Sequence, residues 1–468
     1  VAEPADDHRE ECEAIMPVKV DGGATAWLLA CTALVLLMTP GLAFFYGGMV
    51  RAKSVLNMIM MSFVSIALVT LVWLAAGYSL AFGPDIGGLI GGLAHVGLHD
   101  ITTESVTGQV PTLLFATFQL TFAVITAALI SGAIADRARF SAWMVFVPVW
   151  ALVVYAPIAH WVWGPGGWIH AMGTLDYAGG LVVEITSGAS GLALALVLGP
   201  RIGFKAEAMR PHNLPLVLLG AGLLWFGWFG FNAGSALAAD GTAAAVFLNT
   251  LAAGCTGLLG WLLVEQRRDG HPTTFGVASG VVAGLVAITP SCGSVDVLGA
   301  LAIGLVAGMI CSQAVGWKFR HGYDDSLDVV GVHLVGGIVG TLLIGLLATR
   351  TLTGADGPRG LLYGGGLAQL AKQATAVPVV ALYAFAVTYG IGKLIHRLMG
   401  FRVSEEDEVS GVDLALHAET AYDHGVLDHA VRLSVSTAVR ERTRDHSRDR
   451  TPDHTSDHTS DHTSDQGR

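Results

Sequence analysis

LVVEITSGASGLALALVL, residues 181–198, is an apolar run with one ionisable side chain, Glu184, near its start. GVHLVGGIVGTLLIGLL, residues 331–347, repeats the plan with His333 in the same place. Glu184 stands four and seven positions before Gly188 and Gly191, and His333 stands four and seven before Gly337 and Gly340. Crossing ~30 Å of hydrocarbon takes ~20 residues, so each run reads as a membrane span. An ionisable group inside a span is costly and marks function by default.

Nine further runs of this kind flank the two. Together they cover about 25–46, 54–82, 111–135, 141–161, 178–199, 213–237, 243–264, 272–290, 295–317, 328–349 and 374–396. Lys and Arg alternate between the loops. Arg51 and Lys53 follow the first run, Arg137 and Arg139 the third, and Arg201, Lys205 and Arg210 the fifth. Arg267 and Arg268 follow the seventh, and Lys318 and Arg320 the ninth. The loops after the second, fourth, sixth and eighth have none; Arg350, Arg359 and Lys372 after the tenth are the exceptions. The positive-inside rule then puts the N-terminus outside and the C-terminus inside. With five spans per half, the second half must be inverted relative to the first, which places a site near the midplane between the halves. The expected fold is an all-α polytopic membrane protein of eleven transmembrane helices, a five-plus-five inverted repeat plus one.

Composition agrees. Of 468 residues, 53% are hydrophobic and 13% charged, against roughly 25% charged in a soluble protein. This excludes a disordered chain, a disulfide scaffold and a nucleic-acid binder built on a basic surface. The net charge of −11 sits at the ends: seven acids and two bases in residues 1–21, fifteen acids and eight bases in 401–468. The middle is nearly neutral. Four parts follow: an acidic extracellular segment 1–24 without a signal-peptide core, a membrane domain 25–400, a mixed cytoplasmic tail 401–423, and a polar extension 424–468. The extension repeats DHTS three times from Asp453 and reads as disordered; its histidines are a weaker metal-binding signal. Cys12, on the expected outer side, is a weak candidate for bridging subunits, and Cys31, Cys255 and Cys311 read as thiols inside apolar runs.

The ionisable pair has a bland reading, a buried contact that only joins helices. Repeat-related placement favours a pore or proton relay. Asp176 and Asp328 precede the two runs, and N-capping is their simplest role. Aromatics form a second group. Phe118 and Phe122, four apart, share a helix face, as do Trp228 and Phe231, three apart. Packing or interfacial anchoring explains His160, Trp161 and Trp168. For Phe118, Trp163, Trp228 and Phe231 the alternative is a cation site built from π faces, worth up to ~2 kcal/mol when desolvated. From chemistry alone, the chain reads as a channel or carrier for a small cation or its neutral partner.

FFYGGMVRAKSVLNM, FQLTFA, DYAGG, PHNLP, GWFGFNAGSA, DVVGVH and the tail segment RVSEEDEVSGVDLALHAETAYD resemble motifs of the ammonium transporters, the Amt/Mep/Rh family. The resemblance covers about residues 25–423. It implies a homotrimer in the cell membrane with one pore per subunit and no cofactor. It assigns Trp163, Ser235 and Phe118 to an outer ammonium site, with Asp176 supporting it from behind. Phe122 and Phe231 match the stacked pair closing the pore, Trp228 a pore-lining indole, and His333 the second of two pore histidines. Glu184 departs from the pattern, which usually has His there; Glu resembles a variant of some fungal members. Such a pair titrates jointly.

The expected mechanism is ammonium binding outside, deprotonation, passage of ammonia, and a proton relay along Glu184 and His333. Two alternatives are an ammonium sensor acting through a cytoplasmic partner and a passive gas channel of the Rh type. The resemblance also suggests a PII-type regulator meeting the tail and the loops at Arg51, Arg201 and Lys318. Trp163 and Ser235 favour the Amt branch.

Overall fold

The computed structural model describes residues 20–422. The N-terminal residues 1–19, with Cys12, and the extension from 423 onward lie outside them. Eleven apolar helical segments follow one another: α1 Gly22–Met49, α2 Ala52–Phe82, α3 Thr112–Ile134, α4 Phe140–Ala171, α5 Gly180–Leu198, α6 Leu214–Gly234, α7 Gly241–Arg268, α8 Thr274–Ile288, α9 Val297–His321, α10 Val330–Leu347 and α11 Ala368–Met399. Ten are long and apolar enough to cross a membrane, so the chain is a multi-pass membrane protein. The exception is α8, with 15 residues, whose rise of ~22 Å falls short of the hydrocarbon core. Its length is made up by a buried turn after Ile288. Asn249 Nδ2 satisfies that turn by donating to the Cys292 carbonyl at 2.9 Å and the Val295 carbonyl at 2.8 Å. Such pairing is required where non-helical backbone lies at membrane depth.

Short polar residues cap five of the eleven helices, satisfying orphan N-terminal amides. Asp21 caps α1, Asn213 α6, Asp240 α7, Thr273 α8 and Asp296 α9. α5 and α10 start differently. Each opens with a π-helical turn, Gly180–Ile185 and Val330–Leu334, and these two turns hold Glu184 and His333.

The odd-numbered loops meet at one end of the bundle. Arg201 bridges Asp324 at 2.8 Å and Asp136 at 3.0 Å, and Arg51 approaches Asp136 at 3.4 Å. Arg137, fully buried, donates to the Gly199 carbonyl, the Asp324 carbonyl and Ser326 Oγ. Burial works to raise the Asp324 pKa, but the Arg201 bond and the Arg137 and Arg201 charges hold it below the usual carboxylate range. The tail docks here through α12 Glu405–Ser410 and α13 Val412–His417. Asp413 accepts from the Leu56 and Asn57 amides, and Glu408 from the Ile202 amide and Arg402. The even-numbered loops meet at the other end. There His160 lies fully buried, one ring nitrogen 2.9 Å from the Ala81 carbonyl and the other 2.9 Å from Asp85. Trp161 donates to the Leu89 carbonyl. These two are interior anchors of the even-loop end.

Candidate functional site

Glycine sets the distance between α5 and α10. A Cβ at Gly188 would strike the Leu334 backbone, and a Cβ at Gly337 would stand 2.9 Å from Glu184 Cβ. The two contacts are reciprocal. Each helix places its glycine against the ionisable turn of the other. The helices cross closely there, as small residues allow in membranes, and Glu184 Oε2 comes to 2.7 Å from His333 Nδ1. Both side chains are buried.

The capping acid of each helix sits eight residues earlier. The Asp176 carboxylate accepts from the amides of Gly179, Gly180, Leu181 and Val182 at 3.1, 2.5, 2.9 and 3.2 Å. Burial pushes its pKa up to about 6, against the pull of those four bonds. At α10 the equivalent residue is Asp325, which accepts from Val329 and Val330. Burial pushes it up to about 6 as well, opposed first by Lys318. The expectation that Asp328 caps α10 is therefore corrected. Asp328 is held at φ +65°, outside helical geometry, and its carboxylate meets Lys318 Nζ at 2.6 Å. The eight-residue offset from Asp176 to Glu184 recurs from Asp325 to His333, and that spacing was the signal for Asp325.

Next to Asp176 opens a vestibule lined by Phe118, Trp163, Tyr177 and Ser235. It leaves about 300 Å³ for the centre of a water-sized sphere. Trp163 Nε1 donates to the Asp176 carbonyl at 2.9 Å, which fixes the indole. The Ser235 hydroxyl donates to the Phe231 carbonyl at 2.8 Å. Its proton is thereby committed, and its lone pairs remain for a donor in the vestibule. Gln119 also lines this space, and its Oε1 and the Tyr177 hydroxyl have no hydrogen-bond partner. Neither residue was singled out from sequence, where nothing distinguishes a satisfied amide from an unsatisfied one.

The vestibule floor is aromatic. Phe122 and Phe231 stack with centroids 4.1 Å apart and planes at 19°. Phe118 meets Phe122 edge-on at 4.9 Å, and Trp163 meets Phe122 at 5.9 Å. Beyond the stack lies a narrow cavity lined by Ile125, Trp228, Phe231, Glu184 and His333. It leaves about 10 Å³ for the centre of a water-sized sphere, room for about one water. Trp228 Nε1 donates to Thr289 Oγ1 at 2.9 Å, so the indole turns its only polar atom away from the cavity as a donor already used.

Eight of the nine candidate residues thus line a roomy vestibule, its aromatic closure or a tight apolar cavity with one acid–imidazole pair, and Asp176 stands behind Trp163. The family model described as Ammonium Transporter Family matches residues 26–422. An ammonium transporter of Mycobacterium tuberculosis is 52% identical over 440 residues, covering 88% of this chain and 92% of its own. The crystal structure of Saccharomyces cerevisiae Mep2 superposes with a TM-score of 0.78 at 35% identity, covering 83% of this chain and 89% of that one. A solved structure titled Sensor Amt Protein also gives 0.78, at 28% identity, covering 84% and 98%.

Proposed function

Since the chain belongs to the ammonium transporter family and its function is transmembrane ammonium transport, we propose that it binds ammonium at one mouth, strips a proton, and passes ammonia and proton separately. It is a transporter and not an enzyme. Ammonium docks at Trp163, Phe118 and Ser235, supported by the buried charge of Asp176. The Phe122–Phe231 stack gates the path. Burying an intact unpaired cation beyond the gate costs many kcal/mol. Neutral ammonia does not carry that cost. Glu184 takes the proton and shares it with His333, while Trp228 walls the path. Potassium has no proton to give and is refused.

The observation that carries this reading is the 2.7 Å contact between Glu184 and His333 inside an apolar cavity behind an aromatic stack. In a two-histidine pore the relay passes between imidazoles. Here a carboxylate takes one place, and the pair still holds an exchangeable proton. The rest of the reading is architectural: eleven spans counting α8, N-terminus outside, C-terminus inside, a homotrimer in the plasma membrane, and a five-plus-five inverted repeat. The paired π-turns, the paired capping acids and the reciprocal glycines support the repeat.

The test is charge displacement in proteoliposomes after an ammonium jump, with potassium as control. An ammonium-specific current supports the relay. Full current in Glu184→Leu ends it, and absence of current in the wild type leaves passage of neutral ammonia alone. One alternative has its own support. The ordered tail on the loops at Arg51 and Arg201, with the similarity to a sensor of this family, favours signalling through a cytoplasmic partner of PII type. Pull-downs across ATP, ADP and 2-oxoglutarate conditions test that partner.

A further inference from the structure

We infer that the ε-ammonium of Lys318 is a tethered cation filling, at the tail end of the path, the counterpart of the ammonium site at the Trp163 end. The inference rests on the reading that the start of α10 borders the same path. Two ends of the molecule share one plan. At the first, Trp163 lies in the last third of α4 and donates Nε1 to the Asp176 carbonyl at 2.9 Å. The Asp176 carboxylate caps α5, and Glu184 follows eight residues on. At the second, Lys318 lies at the end of α9 and donates Nζ to the Asp325 carbonyl at 2.8 Å. The Asp325 carboxylate caps α10, and His333 follows eight residues on. One difference between the two ends decides what each can hold. Where the first has an indole beside an open vestibule, the second has a primary ammonium.

That ammonium is held as a substrate ammonium would be. Nζ gives one hydrogen bond to the Asp325 carbonyl and one to Asp328 Oδ1 at 2.6 Å, and it stands 5.5 Å from the Phe319 ring centroid. Carbonyl, carboxylate and π face are the partners a small ammonium ion selects. Asp328 reaches this position only with φ at +65°, a left-handed backbone that a residue with a Cβ adopts rarely. Lys318 is 8% exposed, unusual for lysine unless it is paired. The chain thus builds an ammonium site at this end and occupies it with its own side chain. Ammonium arriving from the tail side meets a filled site.

The driving force still sets the net direction of flux. What Lys318 sets is apparent affinity from the tail side, which is weak in the wild type. The experiment applies ammonium chloride to each face of oriented excised patches and reads the half-saturating concentration of the current. Wild type should saturate at a much lower concentration from the Trp163 face than from the tail face. Lys318→Met vacates the site, and tail-face half-saturation should fall at least fivefold, with the Trp163-face value unchanged. Lys318→Arg keeps a tethered cation and should stay like wild type. Asp328→Asn loosens the anchor and should shift the tail-face value in the same direction by less; it carries the test if Lys318→Met does not assemble. Unchanged tail-face half-saturation in both Lys318→Met and Asp328→Asn overturns the inference. Failure of the relay reading looks different: wild type then shows no current from either face, and the same comparison is made on ammonia entry read by an internal pH dye.

Discussion

Glu184 Oε2 lies 2.7 Å from His333 Nδ1, joining two residues 149 positions apart at the crossing of α5 and α10. In the proposed relay, this contact is where the proton taken from ammonium passes from one side chain to the other. Glu184→Gln keeps the shape and removes the basic oxygen. Ammonium-driven charge movement on solid-supported membranes should fall at least tenfold, a barrier increase of about 1.4 kcal/mol. Glu184→His restores a titratable pair and should keep the current with a different pH profile. Undiminished current in Glu184→Gln would make the contact structural only.

The glycines that permit this contact give a second prediction. A Cβ at Gly337 would stand 2.9 Å from Glu184 Cβ, and one at Gly188 would strike Leu334. Gly337→Ala and Gly188→Ala therefore overpack the crossing, at about 1–3 kcal/mol each, and push the pair apart. Both should lower the thermal midpoint in detergent and reduce transport. Gly390→Ala is the control, because nothing lies within 4 Å of its added Cβ. If all three behave alike, close helix approach is not what holds the pair.

The periodic parts of this molecule were legible in its sequence. Apolar runs located the ten membrane-length helices and the shorter α8, because a bilayer imposes length on such runs, although α4 runs ten residues past its expected end and α11 starts six before its expected start. The Glu184 and His333 match foretold a contact that the structure contains. Alternation of Lys and Arg put the loops of Arg51, Arg137 and Arg201 at one end, and they meet there through Asp136 and Asp324, two acids that the alternation did not single out. The cap of α10 was misread as Asp328 because the nearest acid was chosen, and the true one, Asp325, reaches forward over a π-turn. The shortness of α8 was hidden too. Its missing length is a turn held by Asn249, some forty residues away in sequence, and no local pattern announces such a partner. Lys318 read as an ordinary basic loop residue, since burial of a charged side chain is a tertiary fact.

Arg201 carries the third prediction. Among the described residues it alone bridges Asp324 and Asp136, all three being buried. Arg201→Met leaves two carboxylates without that partner, and removing one member of a buried ion pair costs about 3–5 kcal/mol. The Asp324 pKa is depressed in the folded chain. Its contribution to stability is therefore present above the ordinary carboxylate value and is lost as pH falls through the folded value. Wild type should lose thermal stability on acidification below about pH 4, the ordinary Asp range. Arg201→Met should start lower and change less over that interval. A variant with the wild-type midpoint at pH 7 would show the network to be dispensable.

Asp176 would tie the proposed ammonium site to pH. Its carboxylate lies behind Trp163, whose indole donates to the Asp176 carbonyl, and burial pushes its pKa up to about 6. Above that value the group is charged and draws a cation toward Trp163 and Ser235. Below it the charge is gone while the cap persists, since a carboxylic acid still accepts hydrogen bonds. The sign is then fixed: acid weakens ammonium binding. If only the charged form binds well, half-saturation should rise about tenfold between pH 7 and pH 5 on the vestibule side. Asp176→Asn keeps one acceptor oxygen, enough for two of the four amides, and loses the charge at every pH. Its half-saturation should be high throughout and flat over the same interval. Currents at graded ammonium and graded external pH measure both. A wild type whose half-saturation is as flat as that of the Asn variant would show that Asp176 supports the site by capping α5, and that its charge does not act on the bound cation.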